Sequence, residues 1–106
     1  MLFRSITLPK IKLVVELKRD FHSEVWSAAE NQLDRLYTRD PEAFGYGIYL
    51  VFWYGNKRIN KIPVPPPQFT IPNSPSEMSY QLQSLIPETK QHKLKVVVLN
   101  VSEPES

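Results

Sequence analysis

The sequence predicts an α/β domain ordered strand, helix, strand, helix, strand. Three observations predict it: apolar residues alternate with period two from Ile11 to Lys18, recur with the helical period from Val25 to Tyr37, and form an unbroken run from Ile48 to Tyr54. An amphipathic strand, a helix and a short doubly apolar strand, in that order, spell a parallel βαβ unit.

The first strand is expected over residues 11–18. Ile11, Leu13, Val15 and Leu17 fall on one parity and are expected to face the core. Lys12, Val14, Glu16, Lys18 and, just beyond, Asp20 fall on the other and are expected to look outward. Glu16 and Lys18 then stand side by side, ~6.6 Å apart along the pleat. That is close enough to share one substrate and too far for a direct ion pair unless the side chains bend. The carbonyl of Leu17, between them, is a further oxygen donor that a hard cation such as Mg²⁺ could use.

A helix is expected over 23–38, with Ser23 as N-cap and Glu24 in its first turn. Val25, Trp26, Ala29, Leu33, Leu36 and Tyr37 form its apolar stripe, and Asp40-Pro41 stops it. Gly45-Tyr46-Gly47 punctuates the chain before the second strand, 47–54, which lacks alternation and is expected to be buried on both faces. Residues 62–75 hold Pro63, Pro65, Pro66, Pro67, Pro72 and Pro75 and read as a stiff connector crossing the domain. Ser76-Glu77 opens a second helix over 76–86, with Met78, Leu82, Leu85 and Ile86 on one side and Pro87 as stop. A last strand follows over 94–101, then a polar tail.

Composition bounds the function. At 106 residues with 42% hydrophobic content, the chain is one domain, 1–106, with a core of modest size. There is no cysteine, hence no disulfide framework, thiolate nucleophile or Cys-ligated zinc. The N-terminal segment lacks a signal-peptide apolar region and the run 48–54 is too short to span a bilayer, so a cytoplasmic protein without a membrane partner is expected. The net charge of +2 neither demands nor excludes a polyanion, although Arg19, Arg35, Arg39, Lys57, Arg58 and Lys61 could form local patches. A three-stranded sheet of this size leaves edges exposed, which predicts a homo-oligomer.

Most other candidates reduce to structural roles. Glu88-Thr89-Lys90 repeats the Glu-x-Lys spacing in a polar stretch after Pro87 and reads as a loop. His22 and His92 have no metal-ligand spacing, and His22 reads as a solvated loop residue beside Asp20 and Glu24. Ser23, Ser27 and Ser79 lack the context of a hydrolase nucleophile. Tyr46, Tyr49, Phe52, Trp53 and Tyr54 could stack bases but read first as strand packing.

The stretch Val15 to Asp20, with Trp26, Glu30 to Leu33 and Gly45 to Trp53, resembles the later part of the PD-(D/E)xK, or restriction-endonuclease-like, nuclease superfamily. It is also similar to nuclease-like domains of uncharacterised bacterial proteins. The resemblance implies a partial β-α-β-α-β core, a small mixed sheet flanked by helices, and Mg²⁺-dependent phosphodiester hydrolysis acting on DNA. It implies that Glu16 and the Leu17 carbonyl hold the metal, that Lys18 orients the attacking water and offsets phosphate charge, and that Gln32 on the following helix joins them.

The superfamily's other metal ligand is an aspartate on the preceding strand, whereas no acid precedes Glu16 here and only Met1 to Lys10 lie before residue 11. The expectation is therefore a nuclease fold truncated on its N-terminal side, inactive alone or completed by another chain. The alternative is a non-catalytic protein-interaction or nucleic-acid-binding module that oligomerises through its sheet edge.

Overall fold

Chain order and sheet order coincide. Among the described residues, β1 (Leu2–Leu8), β2 (Ile11–Arg19), β3 (Gly47–Trp53) and β4 (Leu94–Asn100) lie side by side in that sequence. β1 and β2 form an antiparallel hairpin, whereas β2, β3 and β4 run parallel, with Glu16 beside Tyr49 and Tyr49 beside Val96. This computed structural model describes residues 2–8, 11–33, 46–56 and 61–102, with side chains from Leu13 onward except that of Gln32.

The strand-helix-strand-helix-strand order is found, but a strand precedes it. β1 pairs with β2 along its whole length, from Leu2 opposite Leu17 to Leu8 opposite Ile11. The three-strand expectation is thus corrected. A hairpin needs no crossover helix to announce it, so its first strand has no long-range signature in the sequence.

The face of β2 expected to look outward is the more deeply buried one, although Val15 on the other face is buried as expected. Val14, Tyr49, Val51, Trp53, Leu94 and Val96 form one core with Val25, Trp26, Ala28, Ala29 and Leu33 of the first helix and Met78, Leu82 and Ile86 of the second helical segment. Glu16, Lys18 and Asp20 share the parity of Val14 and are buried with it, while Leu13 and Leu17 are half-buried and Arg19 is exposed. β3 accordingly alternates between buried and half-buried residues instead of being sealed on both faces. The cause is where the helices dock: the ones described contribute their apolar stripes to a single face, and each side chain sealed there, such as Leu82, contributes about 2 kcal/mol.

The first helix begins as α1 (Val25–Ser27) and passes straight into a π-helical turn (Ala28–Gln32), in which the Leu33 amide donates to the Ala28 carbonyl. Ser23 is not its cap. Glu24 holds the cap position, and the Glu24 amide donates to His22 Nδ1 at 3.0 Å, so His22 serves the helix start and is not a free loop residue. Leu36, Tyr37 and the Asp40-Pro41 stop lie outside the described residues, as do Arg35, Arg39, Lys57 and Arg58.

The proline-rich segment from Lys61 to Ser74 has no helix or strand and is tied down by Ile62, buried in the core, and by the Trp26 Nε1–H donating to the Pro63 carbonyl at 2.8 Å. α2 (Pro75–Leu85) starts one residue before the expected position. Ser74, not Ser76, is its cap, with Oγ accepting from the Glu77 amide at 3.1 Å and Pro75 in the first helical turn. Ile86, just ahead of Pro87, is already extended.

α2 also closes part of the sheet edge. The Gln83 side chain donates to the Leu94 carbonyl at 3.0 Å and accepts from the Val96 amide at 2.9 Å. One side-chain amide thereby takes the place of a neighbouring strand's peptide group along the first half of β4. The second Glu-x-Lys, Glu88 to Lys90, is a 3₁₀ turn with no buried residue, as a loop reading requires.

Candidate functional site

Glu16, Lys18 and Asp20 project from the carboxyl-terminal half of β2 into the helix-covered face, with relative exposures of 0%, 3% and 0%. Their neighbours across the ladder are Tyr49 and Val51 of β3, themselves core residues. The surroundings are therefore apolar, and each ionised group is desolvated.

Glu16 and Lys18 bend toward each other until Oε1 and Nζ are 3.7 Å apart. This is the side-chain bending that the backbone spacing requires for a direct ion pair. The contact is longer than a hydrogen bond, and among the described residues neither Glu16 oxygen nor Lys18 Nζ has a hydrogen-bond partner. Burial pushes the Glu16 carboxyl above the ordinary range, and the Lys18 charge pulls part of that shift back.

Glu24, from the start of the first helix, brings Oε2 to 3.9 Å from Lys18 Nζ, with its side chain 51% exposed. Its proximity also raises the Glu16 pKa. In the sequence Glu24 reads as a first-turn acid near His22, and its approach to Lys18 is not legible there, because the tight turn at the helix start, closed by His22 N–H to the Arg19 carbonyl, has no periodicity. The Tyr49 hydroxyl, one strand over from Glu16, donates to the Val25 carbonyl at 2.8 Å and fixes that helix start.

Asp20 does other work. Its Oδ2 accepts from the amides of Tyr54 and Gly55 at 2.9 and 3.0 Å, just beyond the end of β3. Its carboxyl is also held above the usual range, by burial, although these amide bonds act against the shift. His22 is held below the usual histidine range, first by burial and then by the Lys18 charge, which agrees with its Nδ1 acting as an acceptor.

Not every sequence-derived site residue converges. The Gln32 side chain lies outside the described residues. Leu17 sits in an interior strand between Leu2 and Leu50, so its carbonyl is directed along a sheet ladder and not out of the face that carries Glu16. The residue opposite Glu16 on β1 is Phe3.

These donors do not fit a resident Mg²⁺. The ion wants several oxygens in octahedral array, whereas the site offers one buried carboxylate, a second half in solvent, and an ammonium within 4 Å of both. Among the described residues no group of three or more His, Cys, Asp or Glu could hold a metal. What the arrangement offers is a buried acid and a buried cation without hydrogen-bond partners among the described residues, with the half-exposed Glu24 carboxylate beside the cation.

Among the described residues no helix is long and apolar enough to cross a membrane. No protein-family model, curated protein or solved structure matches the chain.

Proposed function

We propose that this is a phosphodiesterase-like domain of the PD-(D/E)xK kind, with Glu16 and Lys18 as its working pair, which is one carboxylate short of a metal-binding site and acts on DNA only when another chain supplies that acid. The observation that carries the reading is the pair itself: two opposite charges buried at 3.7 Å, without hydrogen-bond partners among the described residues, on an interior strand of the sheet. Such a pair is a poor stabiliser, because desolvation offsets most of its attraction. Groups held at that disadvantage are candidates for chemistry.

Lys18 would offset charge on a scissile phosphate, and Glu16, with its raised pKa, would hold a proton or share a cation. With Phe3 opposite Glu16, the preceding strand brings no acid to that register. Mg²⁺ would be retained only with the added carboxylate.

Nicking of supercoiled plasmid in Mg²⁺ or Mn²⁺ tests this, with Mn²⁺ association followed by water-proton relaxation. The expected result is no cutting by the chain alone and weak Mn²⁺ association that Glu16→Ala removes. Robust cutting lost in both Glu16→Ala and Lys18→Ala would show that the chain already holds a complete site. Mn²⁺ association unchanged in Glu16→Ala would remove the basis of the proposal.

A second reading is favoured by a separate observation. Val97, Leu99 and Val101 of β4 and its end are exposed, Leu99 at 48%, beside the strand edge beyond the Gln83 clamp. An interaction module that self-associates along this edge would sediment as a dimer or larger. A 12.3 kDa particle at micromolar concentration would exclude it.

A further inference from the structure

The carboxyl ends of β2 and β3 carry a feature that the Glu16–Lys18 pair does not use. Phe21 follows β2 in a turn closed by His22 N–H to the Arg19 carbonyl at 3.0 Å, and Tyr54 follows β3. The two rings lie 5.5 Å apart between centroids and are tilted by 59°, so they meet edge against face and are not stacked in parallel. Both are only partly buried. The exposed Arg19 places its guanidinium carbon 5.9 Å from the Phe21 ring centre.

The backbone that carries these rings is fixed. The Asp20 amide donates to the Phe52 carbonyl at 2.9 Å, continuing the β2–β3 ladder, and Asp20 Oδ2 gathers the Tyr54 and Gly55 amides. Gly55, at φ +89°, then turns the chain away in a conformation that a side chain would strain. A fully buried carboxylate thus positions the backbone under two aromatic rings and one arginine, at the strand ends where open parallel sheets receive ligands.

We propose that Arg19, Phe21 and Tyr54 form a ledge for single-stranded nucleic acid, stacking one base on the ring pair while the guanidinium takes the adjoining phosphate. The chemistry fits a nucleotide on two counts. Every base offers a π-face to a partly exposed ring regardless of sequence, and a planar cation beside that ring serves base or phosphate equally. The choice of nucleic acid over another aromatic ligand rests on the phosphodiesterase reading of Glu16 and Lys18.

The test is fluorescence anisotropy of short labelled oligo(dT) and of an abasic strand of equal length, without divalent ions. Wild type is expected to bind the base-bearing strand about tenfold more tightly than the abasic one. Phe21→Ala, and Phe21→Leu, which keeps apolar bulk against Tyr54, should remove most of that difference, and Arg19→Gln should weaken both strands. Equal affinity of wild type for the two strands, or a full base preference retained in Phe21→Leu, overturns the ledge. Such a result with Glu16-dependent Mn²⁺ association intact sinks the ledge alone. Base preference without any role for Glu16 leaves the ledge and sinks the phosphodiesterase reading.

Discussion

Replacing Lys18 with methionine isolates the buried pair, because the unbranched side chain keeps most of its length and loses its charge. At 3.7 Å and an effective dielectric of about 20, the attraction to Glu16 is about 4.5 kcal/mol. Relief of the ammonium's own desolvation offsets part of this, and stripping one partner from a buried pair leaves a net loss of about 3 kcal/mol near neutral pH. The loss must depend on pH. Glu16 has its pKa raised by burial and held down by Lys18, so removal of the lysine raises it further.

An acid with a raised folded pKa contributes its full stability below the unfolded value of 4.5, and that contribution fades as pH rises through the folded value. Lys18→Met should therefore lie close to wild type at pH 4 and fall well below it by pH 7.5, and Lys18→Met/Glu16→Gln should recover most of the loss. Urea unfolding followed by the fluorescence of Trp26 and Trp53, both buried, provides the measurement. A deficit that is equal at both pH values and persists in the double variant would refute the electrostatic account and mark Lys18 as a packing residue.

Other perturbations follow from the same structure. Asp20→Ala should cost about 2 kcal/mol by stranding the Tyr54 and Gly55 amides, and Asp20→Asn, which retains an acceptor oxygen, distinctly less in urea titrations. Gln83→Ala should speed hydrogen exchange at the Val96 amide about tenfold and leave exchange in β2 unchanged. Ser74→Ala should lower stability by about 1 kcal/mol through the lost α2 cap, read from the denaturation midpoint.

The elements that were legible in the sequence are those whose period reports a fixed partner. The boundaries of β2, β3 and β4 fall within a residue of those expected, since alternation or a dense apolar run marks a strand wherever it packs. β1 was missed because the hairpin that makes it a strand is a property of β2's free edge, not of Leu2–Leu8 alone. That the polar parity of β2 is buried was not legible for a related reason. Lys, Glu, Lys and Asp on one parity look like solvent-facing residues, yet Val14 shares that parity, and Tyr49 and Val51 across the ladder extend its apolar surface.

Glu16 and Lys18 were legible as neighbours because the pleat puts residues two apart on one side. That they approach within 3.7 Å, that Glu24 joins them, and that Asp20 serves the end of β3 all depend on tertiary placement that no local spacing encodes.

The π-helical turn carries its own consequence. A turn that closes five residues back, as Leu33 does to Ala28, contains one residue more than an α-turn. Trp26 before it and Leu33 after it are both in the core, so the extra residue is absorbed within the turn and the apolar stripe stays in phase. Deleting one residue between Ala28 and Gln32 would let the turn close as a regular helix and leave Trp26 and Leu33 in the phase they hold now. The segment should therefore accept loss of one residue as readily as exchange of its exposed Glu30 or Asn31, so among diverged copies of this chain a turn one residue shorter should keep the same core contacts.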